Sequence, residues 1–150
     1  MRAVVQRVSR ASVKVDGEVV GSIGRGLLVY LGCLAGDDEA TARRMAQAIA
    51  NLRVFPDEEG RMNKDLSCVG GSVLLVSQFT LAWDADKGRR PSFSKALEPA
   101  RAEALVQLAE LDLRARGLTV ETGTFRAHML VESVNDGPVT FHLERLPTGR

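Results

Sequence analysis

The sequence predicts an α+β fold in a single domain with strands in the majority, on three observations. Asp16-Gly17 separates two alternating β patterns, two stretches carry apolar residues at intervals of three and four, and the other apolar runs are short and bounded by glycine. A chain of 150 residues is an ordinary length for one domain and buries most of its apolar surface in one core. No fixed-period repeat, low-complexity tract or linker divides residues 1–150.

Taken in order, Ser12 to Val15 and Glu18 to Ile23 flank Asp16-Gly17, a dipeptide that tolerates the positive φ angles of a two-residue hairpin turn. Gly26 to Leu34 is nearly continuous in apolar residues and reads as a strand buried on both faces. Asp37-Asp38-Glu39 places negative charge at a helix start, and Ala42, Met45, Ala46, Ile49 and Leu52 follow on one stripe. Gly71 to Leu81 reads as a further buried strand. A second amphipathic helix starts near Pro99, carries Ala102, Leu105, Val106, Ala109 and Leu113 inward, and stops at Gly117. Thr119 to Glu121, Phe125 to Val134 and Val139 to Arg145 read as closing strands, the last two joined by a hairpin turn at Asn135-Asp136-Gly137-Pro138.

Hydrophobic content of 45% with only 5% aromatic residues means a core of Val, Leu, Ala and Ile. Twenty basic residues against nineteen acidic give a net charge of +1, so any contact with RNA must come from local patches. Cys33 and Cys68 lack the spacing of a zinc knuckle or a redox pair and read as buried free thiols. The opening Met1 to Val8 intersperses charge and resembles no leader peptide, and no apolar run is long enough to cross a bilayer. The expectation is a cytoplasmic protein without membrane contact.

Conventional catalytic equipment is sparse. His128 and His142 stand near no other His, Cys or carboxylate at metal-ligand spacing, and each reads as a strand residue. Neither a metal nor a cofactor is expected. Val73 to Val76, by contrast, runs abruptly into Ser77-Gln78-Phe79-Thr80, three polar side chains around one aromatic. Such polarity at a strand end is either satisfied internally or offered to a ligand. Asn135-Asp136-Gly137-Pro138 is turn chemistry, with a Gly-Pro bond able to adopt cis. Lys87, Arg89 and Arg90 surround a loop containing Phe93, which either meets phosphates or is a solvated loop flanked by Asp84, Asp86 and Glu98.

Together these segments resemble the D-aminoacyl-tRNA deacylase family. Its two signature motifs match Ser77 to Thr80 and Asn135 to Thr140, and the likeness extends to Met1 to Val8, the Asp16-Gly17 hairpin, Asn51 to Phe55, Met62-Asn63 and Lys87 to Ser94. The resemblance implies a compact, β-rich, sheet- or barrel-like fold that dimerises. Each active site would lie at the subunit interface, with the Gly137-Pro138 motif of one chain, its bond cis, entering the pocket of the other. It implies an ester hydrolase that removes D-amino acids, and glycine, from the 3′ end of tRNA using the substrate's own ribose hydroxyl.

On that reading the main chain around Phe79-Thr80 supplies oxyanion donors, Thr80 positions the reacting ester or water, and Gln78 organises the strand end beside Ser77. Gly137-Pro138 rejects L-amino acids by main-chain contact, with Arg7, Asn135 and Thr140 in support. Lys87, Arg89 and Arg90 would touch RNA, although Arg7 also reads as an ordinary strand arginine. The alternatives are a non-catalytic nucleic-acid-binding dimer and an esterase acting on small molecules without RNA.

Overall fold

Asp16 at φ 50° and Gly17 at φ 83° turn the chain through the positive-φ pair that a two-residue hairpin demands. The computed structural model describes residues 1–84 and 89–148. In chain order the elements are β1 (Arg2–Val15), β2 (Glu18–Ile23), β3 (Gly26–Gly32), α1 (Glu39–Ala50), β4 (Phe55–Pro56), β5 (Met62–Lys64), α2 (Leu66–Val69), β6 (Ser72–Ser77), a 3₁₀ turn (Phe79–Ala82), α3 (Pro99–Ala115), β7 (Thr119–Thr122) and β8 (Leu130–Glu144). Lys87 and Asp86 lie outside the described residues. No helix among the described residues is long and apolar enough to cross a membrane.

The long first strand organises the sheet. Its N-terminal half pairs antiparallel with β3 and its C-terminal half with β2, so β2 and β3 follow one another along one edge. Beyond β3 the direction changes, for β6 and β7 add in parallel. A parallel step needs a crossover, and α1 and α3 lie in the two connections. Gly26 lets β3 and β6 approach, because a Cβ there would stand 1.9 Å from the Ser72 carbonyl oxygen.

Alternation gives this sheet two buried faces. Ala3, Val5, Leu27, Val29, Leu31, Val73 and Leu75 pack against Met45 and Ile49 of α1 and Leu105 and Leu113 of α3. On the other face Val8, Val13, Ile23, Leu28, Leu74 and Val76 form a second cluster, with Met129 and Val131 against it. The sheet curls around this cluster into a nearly closed barrel. A Cβ on Gly21 of β2 would lie 2.4 Å from the Thr122 carbonyl oxygen of β7.

The helices start where side chains satisfy the first amides. The Asp38 carboxylate accepts from the amide and hydroxyl of Thr41, and those bonds hold its carboxyl below the usual carboxylate range. Glu98 accepts from the amides of Ala100 and Arg101 ahead of α3. The small β4–β5 hairpin and the four-residue α2 add to the elements the sequence predicts.

Three expectations are corrected. Residues Leu130 to Glu144 form one strand, not two strands joined by a hairpin, and both of its ends pair antiparallel with β1. Asn135 opposes Val8 and Thr140 opposes Gln6, so residues 136–139 bulge out opposite Arg7 alone. Turn-type residues serve a bulge as well as a hairpin, because both need unusual φ and an interrupted ladder. Next, β6 ends at Ser77 rather than running to Leu81, and β8 begins at Leu130 rather than Phe125, which leaves His128 exposed in the preceding loop. Finally, Cys33 is buried but Cys68 is exposed, since α2 turns its thiol-bearing face outward.

Candidate active site

Three parallel strands, β3, β6 and β7, deliver their carboxyl ends to the same side of the molecule. Clefts form at that position in sheets with parallel strands because the connecting segments part there. A cleft of about 680 Å³ opens at these ends, walled by Leu31 and Cys33 at the end of β3, Ser77 to Phe79 at the end of β6, Phe125 to Met129 after β7, and Glu98, Pro99, Ala102 and Val106 at the start of α3. The Cys33 thiol is pushed up to about 12, chiefly by burial and then by the Asp37 charge, which makes it an inert wall rather than a nucleophile.

The Ser77 to Thr80 stretch lies where a strand gives way to a 3₁₀ turn. The Gln78 amide still extends the sheet by donating to the Leu31 carbonyl at 2.8 Å. The turn then closes with Leu81 donating to the Gln78 carbonyl and Trp83 to that of Thr80. The amides of Phe79 and Thr80 fall at the start of this turn, where a helical segment leaves its first donors unused, and neither has a partner among the described residues. The Gln78 side-chain amide donates to Thr80 Oγ1 at 2.5 Å, so the hydroxyl proton of Thr80 remains available for another acceptor. Phe79 is 61% exposed, an unusual position for a ring of that size, and meets the Phe93 ring edge-on at 5.0 Å. Thus the structure gathers Ser77, Gln78 and Phe79 at the cleft and sets Thr80 directly beside them.

The β8 bulge is built as tightly as the turn. Asn135 closes its base, accepting from the Val139 amide at 2.8 Å and donating to the Val139 carbonyl and the Thr140 hydroxyl, each at 3.3 Å. Gln6 adds a bond to Thr140 Oγ1 at 3.1 Å. From the opposite strand Arg7 donates through Nε to the Asp136 carbonyl at 3.0 Å and through Nη1 to the Val54 carbonyl at 2.6 Å. At the apex the Gly137-Pro138 bond is cis and both residues are exposed. Arg7→Ala strips two carbonyls of a charged donor and is expected to cost about 1–3 kcal/mol of stability. It should also speed amide hydrogen exchange at Gly137 and Val139, and wild-type protection there would show that Arg7 does not hold the bulge.

Within one chain the bulge and the strand end do not meet. Gly137 and Pro138 are absent from the cleft wall. Arg2 reaches the Leu81 carbonyl beside the 3₁₀ turn, whereas Arg7 holds the bulge. The strand rise of roughly 3.3 Å per residue sets these arginines about 17 Å apart along β1.

Of the basic loop, Arg89 and Arg90 are exposed, Lys95 pairs with Asp84 at 2.8 Å, and Lys87 falls outside the described residues. Missed at the sequence level is the Phe125 to Met129 wall, whose alternation with Val131 suggested a strand. The break at Gly123-Thr124 was its available signal. Among the described residues no group of three or more His, Cys, Asp and Glu side chains is arranged to hold a metal ion.

A sequence model of the family described as D-Tyr-tRNA(Tyr) deacylase matches residues 4–144. D-aminoacyl-tRNA deacylase of Heliobacterium modesticaldum is 56% identical over 144 residues, 96% of each chain. That of Symbiobacterium thermophilum is 57% identical over 96% of this chain and 95% of its own. Among solved structures, "c-Myc DNA Unwinding Element Binding Protein" superposes with a TM-score of 0.91 at 42% identity, covering 98% of this chain and 100% of that one. A probable eukaryotic D-amino acid tRNA deacylase shares the fold at a TM-score of 0.81 and 20% identity, over 95% of this chain and 97% of that one.

Proposed function

Because this chain belongs to the D-Tyr-tRNA(Tyr) deacylase family, we propose that it hydrolyses the ester between a D-amino acid and the terminal ribose of tRNA, releasing free D-amino acid and tRNA. Most direct support comes from β6, which ends in the cleft with two unused backbone amides, Phe79 and Thr80, next to a hydroxyl whose proton is free. Ester hydrolysis develops negative charge on the carbonyl oxygen, and fixed amides aimed at that oxygen stabilise it without reorganising. Thr80 Oγ1 positions the ester or the attacking water, Gln78 orients that hydroxyl, and Ser77 anchors the strand end. The substrate's own ribose hydroxyl assists the step, so no protein histidine is required.

Chiral choice follows if a second copy of the chain delivers Gly137-Pro138 to this cleft. The exposed apex and its distance from the cleft of its own chain favour a homodimer with shared sites. Main-chain carbonyls would then face the α-carbon, clash with an L side chain and leave a D side chain pointing outward. A rigid main-chain wall discriminates more strongly than a side-chain pocket, which resolves methylene-sized differences by about 1–3 kcal/mol. Glycine carries no side chain to clash, so glycyl-tRNA would also be cleaved.

Matched D- and L-aminoacyl-tRNA offered to the purified protein, with and without a chelator, test this reading. Cleavage of the D form alone is expected, and equal cleavage of both or of neither would remove it. Thr80→Ala should lower kcat/KM on the D form about 10²-fold, and full turnover would strip Thr80 of its positioning role. A second reading, a nucleic-acid-binding dimer without catalysis, is favoured by the 42% identity to a protein described as binding a DNA unwinding element. Tight tRNA or DNA binding with no turnover would select it.

A further inference from the structure

Two residues other than glycine hold a positive φ among the described residues: Asp16 in the hairpin turn and Arg126, at 64°, in the cleft wall. Aspartate visits this region readily, whereas a long side chain such as arginine pays a steric cost that glycine would avoid. A residue kept in a sparsely populated conformation at a cleft points to a role for its side chain. Arg126 has another peculiarity. Its guanidinium makes no hydrogen bond or close ion pair with the described residues, whereas Arg2 and Arg7 are held by β8, and Arg114 and Arg116 by carboxylates on their own helix.

Arg101, exposed in the first turn of α3 beside the cleft residue Ala102, is equally unoccupied. Both act at longer range on the Glu98 carboxylate, whose oxygens accept chiefly from the amides of Ala100 and Arg101. Unlike Arg101 and Arg126, Arg89 and Arg90 were singled out by the sequence. They lie on the loop whose Phe93 packs against Phe79. Among the described residues, guanidinium groups without a hydrogen bond or close ion pair therefore stand in and beside the cleft that the exposed Phe79 also lines and on the loop that carries its partner Phe93, an arrangement suited to a single strand whose bases stack and whose phosphates are neutralised.

We propose that Arg126, together with Arg101, forms a phosphate clamp at the α3 rim of the cleft, holding the backbone of the single-stranded 3′ end of tRNA so that its terminal ester reaches Ser77 to Thr80. The clamp positions the strand and takes no part in bond breaking. It rests on the deacylase reading for the identity of its RNA.

Binding of uncharged tRNA across a salt series tests the clamp independently of turnover. Each phosphate contact on a single strand contributes about 0.7 to the slope of log affinity against log salt. Arg126→Gly and Arg101→Ala should each lower the slope by about that amount, and Arg126→Lys should restore most of it. Arg126→Gly also relieves the backbone, so its Tm should equal or exceed that of the parent while KM for D-aminoacyl-tRNA rises and kcat moves less. Its loss in kcat/KM should be several-fold greater on full tRNA than on a D-aminoacyl-adenosine, which has no flanking phosphates. A parental slope in both the Gly and Ala variants would overturn the clamp, as would a fall in Tm without a change in slope. Absence of turnover by the parent protein would remove the deacylase reading, while the slopes would still decide the arginines.

Discussion

Gly137→Ala is expected to keep the fold and to lose about 10²-fold or more in kcat/KM on D-aminoacyl-tRNA, the penalty for displacing a positioned group by about an ångström. At φ 147° Gly137 occupies backbone space that L side chains rarely adopt, and an added Cβ would stand 2.6 Å from both the amide nitrogen and Cγ2 of Val139. Val139 cannot simply retreat, because its amide and carbonyl are both held by Asn135. Nor can the other arm of the bulge, because Arg7 holds Asp136. Relief must therefore come from moving Gly137 and Pro138 themselves, the two residues proposed to face the substrate's α-carbon. Exposure of the apex confines the damage: backbone strain of about 1–3 kcal/mol falls on a surface loop and spares the core. Kinetics on matched D and L substrates, with thermal unfolding as the control, read the result. Parental activity and selectivity in a displaced loop would exclude this motif from chiral choice.

The same bulge shows where sequence reasoning reaches its limit. Asp16-Gly17 was legible because both residues accept positive φ and the strands they join are adjacent, so every determinant is local. The two main helices were legible for a similar reason: Asp38 and Pro99 mark their starts, and their apolar stripes face one way. Asn135 to Pro138 carries an equally strong local signal, yet what decides between a hairpin and a bulge is β1, far away in sequence, which pairs with both flanks. The first half of β1 was obscure because Arg2, Gln6 and Arg7 break its apolar alternation. Each finds a partner across the ladder, on Glu144, Thr140 and Asp136, far away in sequence.

In the candidate site, Ser77 to Thr80 could be read because polarity at the end of a buried strand requires a physical cause. The opposite wall could not. The break at Gly123-Thr124 could have ended the strand reading, but Arg126 and His128 become cleft residues only where the start of α3 and the β7–β8 connection line the same cleft, which neither segment alone records.

Asp37→Ala is expected to be the most destabilising single change of those considered, at about 3–5 kcal/mol, the cost of stranding one member of a buried ion pair. The side chains of Met1 and Asp37 are 0% and 1% exposed, and the α-ammonium of Met1 lies buried 2.7 Å from the Asp37 carboxylate. Oδ2 of Asp37 accepts from the Leu34 amide at 2.7 Å, and the ammonium donates a second bond to the Arg145 carbonyl at 2.8 Å. Alanine would leave a buried cation with one neutral acceptor and a backbone amide with none. For a chain of this length each kcal/mol corresponds to about 2–4 °C, so Tm should fall by roughly 6–20 °C. Asp37→Asn retains the shape without the charge and should fall in between. The consequences should extend to the cleft. The segment from Cys33 to Asp37 is tied to the approach to α3 by Ala35 donating to the Lys95 carbonyl and Leu97 to that of Cys33. Slackening one end of this tie should release the wall formed by Ala96 to Pro99, raising KM even at temperatures where the variant remains folded. A variant with lowered Tm but parental KM would show that the ion pair supports the fold without setting the wall. Unchanged Tm would mean that the buried ammonium finds compensation elsewhere.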